Sequence, residues 1–250
     1  MSGIDLAEHA GARSPAARLT AEGLQRLVLR RVWSSLWRHL PMLAISGAAT
    51  GVAAALAVFI AGGNPLLIPT LLALFAGPTV MALLAVAQGA LVDDDTNLRT
   101  YLRALKTTAV RSMGYSLVPA LCMVSLLAAN DVYTRTGNVF MLCSLGIATA
   151  ATVLTIAGFT VLVPLAVARP ELRGRRLWVT SWYLLGRWPV RFLAPIALTG
   201  LALWIAFSFS STLVLLLPAP IALLAGAAYW CCAVELGADD VVVPDGSPDR

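Results

Sequence analysis

The sequence predicts an all-α fold: a polytopic membrane helix bundle of six transmembrane helices with cytoplasmic interfacial amphipathic helices. Three observations predict it. Leu40 to Val92 carries no charged side chain; as one helix this stretch would run about 80 Å against a hydrocarbon core of about 30 Å, so it crosses twice. Of the 250 residues, 59% are hydrophobic and 12% charged, where a soluble domain carries about 25% charge. Third, the basic residues fall in loops beside the apolar runs, almost all on one side.

Residues 1–23 read as a disordered cytoplasmic N-terminus. The first apolar run begins only at Leu40, too late for a signal peptide, and several more follow. The membrane domain covers 24–236. Charge-free runs give spans at about 40–61, 66–91, 113–129, 139–168, 192–209 and 212–234. The first pair turns at Gly62, Gly63, Asn64 and Pro65, and the last pair folds back near Ser208, Ser210 and Ser211. Pro218 and Pro220 are expected to kink the sixth span. Residues 237–250 read as an acidic, disordered cytoplasmic tail.

Orientation follows from Lys and Arg. Six arginines precede the first span, Arg99, Arg103, Lys106 and Arg111 follow the second, and Arg169, Arg173, Arg175, Arg176, Arg187 and Arg191 follow the fourth. Arg135 alone of the 18 basic residues falls on the opposite side. Both termini are therefore placed in the cytoplasm. Lys106 is the only lysine, and the excess of arginine reads as codon bias of a GC-rich bacterial genome, hence a multi-pass protein of a bacterial plasma membrane. The net charge of +5 is confined to those loops, so anionic lipid head groups and not nucleic acid are the expected partner.

Three cytoplasmic segments read as interfacial helices. Leu29, Val32, Trp33, Leu36, Trp37 and Leu40 fall at helical spacing in the first. The second starts at Asp95 or Thr96 as cap, with Asp93 to Asp95 at the positive end of the helix dipole. It carries Leu98, Tyr101, Leu102 and Leu105 on one stripe and Arg99, Arg103 and Lys106 on another. The third alternates Leu177, Trp178, Trp182 and Leu185 with Arg175, Arg176 and Arg187. Each leads to a span with an early proline: Pro41, Pro119 and Pro195. The order of segment, outward span and inward span thus occurs three times, as a threefold repeat would give and as would any run of helical hairpins with cytoplasmic loops.

Catalysis at membrane depth needs an ionisable residue there, and none lies in the six spans. Asp131 and Arg135 sit in an external turn. His39 sits at an interface before Pro41. Cys122, Cys143, Cys231 and Cys232 lie in apolar runs and read as small hydrophobes. No catalytic set, cofactor or metal is therefore expected. Gln88, near the cytoplasmic end of the second span, is expected to reach head groups. Thr149, Thr152, Thr155 and Thr160 approximate one side of the fourth span, either lining a polar path or bonding their own backbone. Gly47 and Gly51 form a small-xxx-small pair suited to helix packing. Pro78 and Pro164 are candidate kinks.

From Gly77-Pro78-Thr79-Val80-Met81-Ala82-Leu83 the second span runs into a short acidic turn. Leu98, Tyr101, Leu102, Leu105 and Lys106 follow, then a third span ending near Asp131. With the basic loop before the fifth span, this pattern resembles the YesL-like family of bacterial integral membrane proteins. The likeness covers about Leu24 to Leu236. The resemblance implies an accessory role beside sugar ABC uptake systems, with no catalytic site to carry over. The glutamate of an ABC permease loop is missing around Ser181, Trp182 and Gly186. The expected function is a non-catalytic accessory or scaffold protein of a carbohydrate transport system, with Arg103, Arg173, Arg176, Trp178 and Trp182 as contact residues for partner or lipid. The alternative is a small-solute transporter with Thr152, Thr155, Pro78 and Pro164 near its path.

Overall fold

The computed structural model describes residues 21–92, 96–209 and 217–236. The expected N-terminal segment up to residue 20, the Asp93–Asp95 cap, the fold-back serines Ser210 and Ser211, and the tail from 237 lie outside them. Eight helices are described and, among the described residues, no strand. They are α1 (Ala21–Arg38), α2 (Leu40–Ile60), α3 (Ile68–Val92), α4 (Leu98–Thr136), α5 (Phe140–Ala168), α6 (Gly174–Arg187), α7 (Pro189–Phe209) and α8 (Pro218–Glu235). Four of them, α2, α3, α4 and α5, are long and apolar enough to cross a membrane. The apolar stretches Pro189–Ala202 in α7 and Pro218–Ala233 in α8 are shorter.

The α2–α3 hairpin closes where the residue types demand it. Gly62 and Gly63 take φ of 59° and 81°, which a Cβ would disfavour, and Asn64 Oδ1 accepts the Leu66 N–H at 3.0 Å. Gly137, at φ 61°, ends α4 in the left-handed cap and returns its N–H to the Tyr133 carbonyl at 2.9 Å.

Three elements differ from the sequence expectation. The second cytoplasmic segment and the third span are not separate: α4 runs unbroken for 39 residues, about 58 Å. Nothing between Leu98 and Met113 is Gly or Pro, so no residue there interrupts the helical bonding. Its N-cap is Asn97 and not Asp95 or Thr96, and no side chain closes the cap. Pro218 does not kink a sixth span. It opens α8, where its missing N–H has no helical acceptor to lose. The N-terminal boundary also shifts, because α1 already begins at Ala21.

α3 is the axis of the bundle. It touches α1, α2, α4, α5 and α8, and Ala82, Val86, Ala87 and Ala90 are fully buried. Lipid tails are as apolar as leucine, so helices in a bilayer associate through close packing and interhelical bonds. Small residues set that closeness here. A Cβ on Gly47 would stand 3.3 Å from the Ala219 Cβ of α8, and one on Gly77 would stand 2.6 Å from the Ser116 Oγ of α4. A second cluster joins α5, α6, α7 and α8 through Leu162, Leu177, Leu184, Phe192 and Cys232.

Candidate functional site

The last carbonyls of a helix have no donor within it. At the end of α3 they are supplied by α1. Ser35 Oγ donates to the Ala90 carbonyl at 3.1 Å, Arg31 Nε to Leu91 at 2.5 Å and Arg31 Nη2 to Val92 at 3.3 Å. The guanidinium also places a positive charge at the negative end of the helix dipole. Beside it, His39 Nδ1 and Thr96 Oγ1 share a hydrogen bond of 2.9 Å. α1 is thereby tied to the α3–α4 junction through a set of polar bonds. This arrangement splits the aromatic stripe expected on α1. Val28 is buried, with Val32 and Leu36 partly buried on the same core, whereas Leu29, Trp33 and Trp37 point outward. The two indoles meet edge to face, centroids 5.8 Å apart.

Of the residues expected to contact a partner or lipid, Arg103 on α4, Arg173 at the N-cap of α6 and Arg176 in its first turn are all exposed. None of them forms an ion pair among the described residues, nor do Arg99, Lys106 and Arg175. Trp178 and Trp182 serve a different contact first. Both lie over Gly158 of α5, where an added Cβ would meet them at 3.2 and 3.3 Å. Trp178 is partly buried, and Trp182 keeps 37% of its surface. Sequence reading singled out the tryptophans but not the glycine that seats them. Arg111 Nη1 donates to the Pro170 carbonyl at 3.3 Å and so ties α4 to the loop before α6. At the foot of α7, Arg191 Nη2 pairs with Glu235 Oε1 at 2.6 Å. That hydrogen bond raises the Arg191 pKa above its ordinary value, against a lowering by desolvation. On the opposite side Arg135 Nε bonds Asp131 Oδ1 at 3.0 Å, an exposed pair one helical turn apart.

The interior is apolar. Gln88 does not extend to a surface as expected, because its Nε2 donates to the Pro164 carbonyl at 3.0 Å and bridges α3 to α5. Pro78 and Pro164 are buried within α3 and α5, and each removes one backbone donor from its helix. The four threonines of α5 all bond their own helix: Thr149 to Leu145, Thr152 to Ala148, Thr155 to Ala151 and Thr160 to Ala157. Between α2, α3, α5, α7 and α8 lies a cavity of about 710 Å³, lined almost wholly by apolar atoms and partly open to the outside of the bundle. Gly51 and Pro164 are on its wall. Gly47 is not, since it packs on Ala219. Among the described residues no three His, Cys, Asp or Glu side chains gather as a metal site would require.

Comparisons with family models, curated proteins and solved structures find no match to this chain.

Proposed function

We propose that this chain is a non-catalytic integral membrane protein that acts as an accessory or scaffold subunit of a membrane transport system. In this reading α2, α3, α4, α5, α7 and α8 cross a bacterial plasma membrane, with both termini in the cytoplasm. α1, the first turns of α4 and α6 lie at the cytoplasmic head groups. A carbohydrate uptake system is the partner suggested by the resemblance to YesL-like proteins.

One observation carries this reading. Arg103, Arg173 and Arg176 stand exposed and without ion pairs among the described residues, and Trp33, Trp37 and Trp182 are exposed as well. Exposed basic and aromatic side chains on a bundle of apolar helices suit anionic head groups and the acidic surface of a partner. The transporter alternative has less support. The Thr152 and Thr155 hydroxyls are engaged by their own helix, and the large cavity offers a polar solute almost no polar wall.

The test is co-purification from native membranes, for the wild type and for a charge-reversed Arg103→Glu, Arg173→Glu, Arg176→Glu variant. The reading expects a stoichiometric membrane partner with the wild type and its loss with the variant. No partner and no defined oligomer from native membranes, or solute uptake by the purified protein in proteoliposomes, would overturn it.

A further inference from the structure

Small residues do two opposite things in this bundle. Gly47 and Gly77 bring neighbouring helices into contact. Gly51, Ala54, Ala55, Ala76, Ala222 and Ala225 instead line the 710 Å³ cavity, where the opposing helices do not close. Its volume lies in the range of ordinary ligand sites, about 300–1,000 Å³. Left empty, its wall would forgo dispersion contacts over five helices.

The chemistry of the wall excludes most occupants. No lining residue is ionisable. The three lining hydroxyls are engaged locally: Thr50 donates to Ser46, Thr160 to Ala157 and Thr199 to Pro195, at 3.0, 2.8 and 2.6 Å. Water needs two to four polar partners, so a cavity of this kind stays dry. The end toward Glu235 is stopped by Phe192, which is 1% exposed and packs with Tyr229 and Cys232, beside the Arg191–Glu235 pair. The cavity is partly open to the outside of the bundle, so an occupant can enter from whatever surrounds it.

Dimensions narrow the occupant further. Lining residues run from Thr50 to Val58 on α2 and from Pro218 to Ala225 on α8, with Leu217 just before it, each about 11–12 Å along a helix axis. One leaflet of hydrocarbon is about 15 Å deep. We infer that this cavity is a binding site for one acyl chain of a membrane phospholipid, held between α2, α3, α5, α7 and α8 and distinct from the lipid that merely coats the outer helix faces. The inference rests on these helices spanning a bilayer. It does not rest on the accessory role, and loss of the protein partner would leave it untouched.

The probe is a phosphatidylglycerol carrying a diazirine near the middle of one acyl chain, reconstituted with the full chain in phosphatidylglycerol vesicles. After photolysis, cross-linked peptides are mapped by mass spectrometry. Labelling is expected at 50–58 and 217–225, at least fivefold above the outward residues Ile147, Val153 and Leu154 of α5. The variant Ala54→Leu, Ala222→Leu fills the space and is expected to lower the cavity labelling at least fivefold. Ala150→Leu, on the outer face of α5, is expected to leave it unchanged. Even labelling of cavity and outer face would overturn the inference. So would unchanged cavity labelling in a folded filled variant. Should the filled variant fail to fold, the wild-type ratio alone decides. Native mass spectrometry of protein taken directly from membranes supplies the source. A retained phospholipid supports the inference; a free fatty acid or an isoprenoid in its place overturns it.

Discussion

Replacing Gly77 by alanine sets two effects of known size against each other. Alanine in a helix interior is favoured over glycine by about 1 kcal/mol. The new Cβ would stand 2.6 Å from Ser116 Oγ and 3.1 Å from Ser116 Cβ, with the Ser112 carbonyl at 3.6 Å. The first clash is soft. Ser116 Oγ is buried without a hydrogen-bond partner, so nothing but packing resists its rotation. The second is stiff, because the Ser116 Cβ moves only with the α4 backbone. Overpacking of that kind costs about 1–3 kcal/mol. Gly77→Ala is therefore expected to lower stability by about 1 kcal/mol net. Ser116→Ala alone removes a buried unpaired hydroxyl and is expected to raise stability by about 1 kcal/mol. In the double variant the soft Oγ clash is gone but the stiff Cβ contact remains, so the two effects should add to within about 0.5 kcal/mol. Unfolding in mixed micelles by added dodecyl sulfate reads all four corners. If Gly77→Ala raises stability by its helix propensity, in the wild type and in the Ser116→Ala background alike, the close approach of α3 and α4 at this point is wrong.

Other perturbations follow from named contacts. Arg31→Ala removes two charge-assisted bonds to the end of α3 and should cost about 1–2 kcal/mol locally. Amide exchange across α1 should then quicken, whereas the exposed Arg30→Ala should leave it unchanged; equal exchange in both variants would contradict the cap. Gly158→Leu should displace Trp178 and Trp182 and shift tryptophan emission to longer wavelength, and an unmoved spectrum would refute that contact. Burial raises the pKa of Tyr101 above its ordinary value, because desolvation disfavours the phenolate. Its folded-state pKa thus exceeds the unfolded one. The resulting stability is intact below about pH 10 and is lost as pH rises through the folded value. Wild type should lose more stability than Tyr101→Phe above pH 10, and parallel losses would count against the burial.

What was legible in the sequence was whatever charge and hydropathy write along the chain. The charge-free runs located α2, α3 and α5 within a few residues, and the glycine pair at 62 and 63 located their first turn. Asp131 and Arg135, expected in an external turn, lie instead in the last turns of α4, where they pair one helical turn apart. The continuity of α4 was not legible, because a change from amphipathic to apolar pattern does not mark a break unless a Gly, Pro or cap does. The Pro218 expectation failed because a proline reads alike in a kink and in a first turn until the helix start is known, here Pro218 itself. The contacts that tie separate helices together were hidden for a different reason. Arg31 with Leu91, Gln88 with Pro164 and Trp182 with Gly158 are long-range pairings between separate helices. A single sequence carries no periodicity that selects one partner over another. The cavity was hidden in the same way, since alanine and glycine read as packing residues whether or not a neighbour closes on them.

The account rests on apolar helices that span a bilayer with their basic ends on one face. Single cysteines at positions 106, 131 and 173, in a chain whose Cys122, Cys143, Cys231 and Cys232 are alanine, test that directly. Intact cells exposed to a membrane-impermeant maleimide should label Asp131→Cys alone, and Lys106→Cys and Arg173→Cys should react only once the membrane is opened. Labelling of Arg173→Cys from outside intact cells, or of all three alike, would contradict the arrangement.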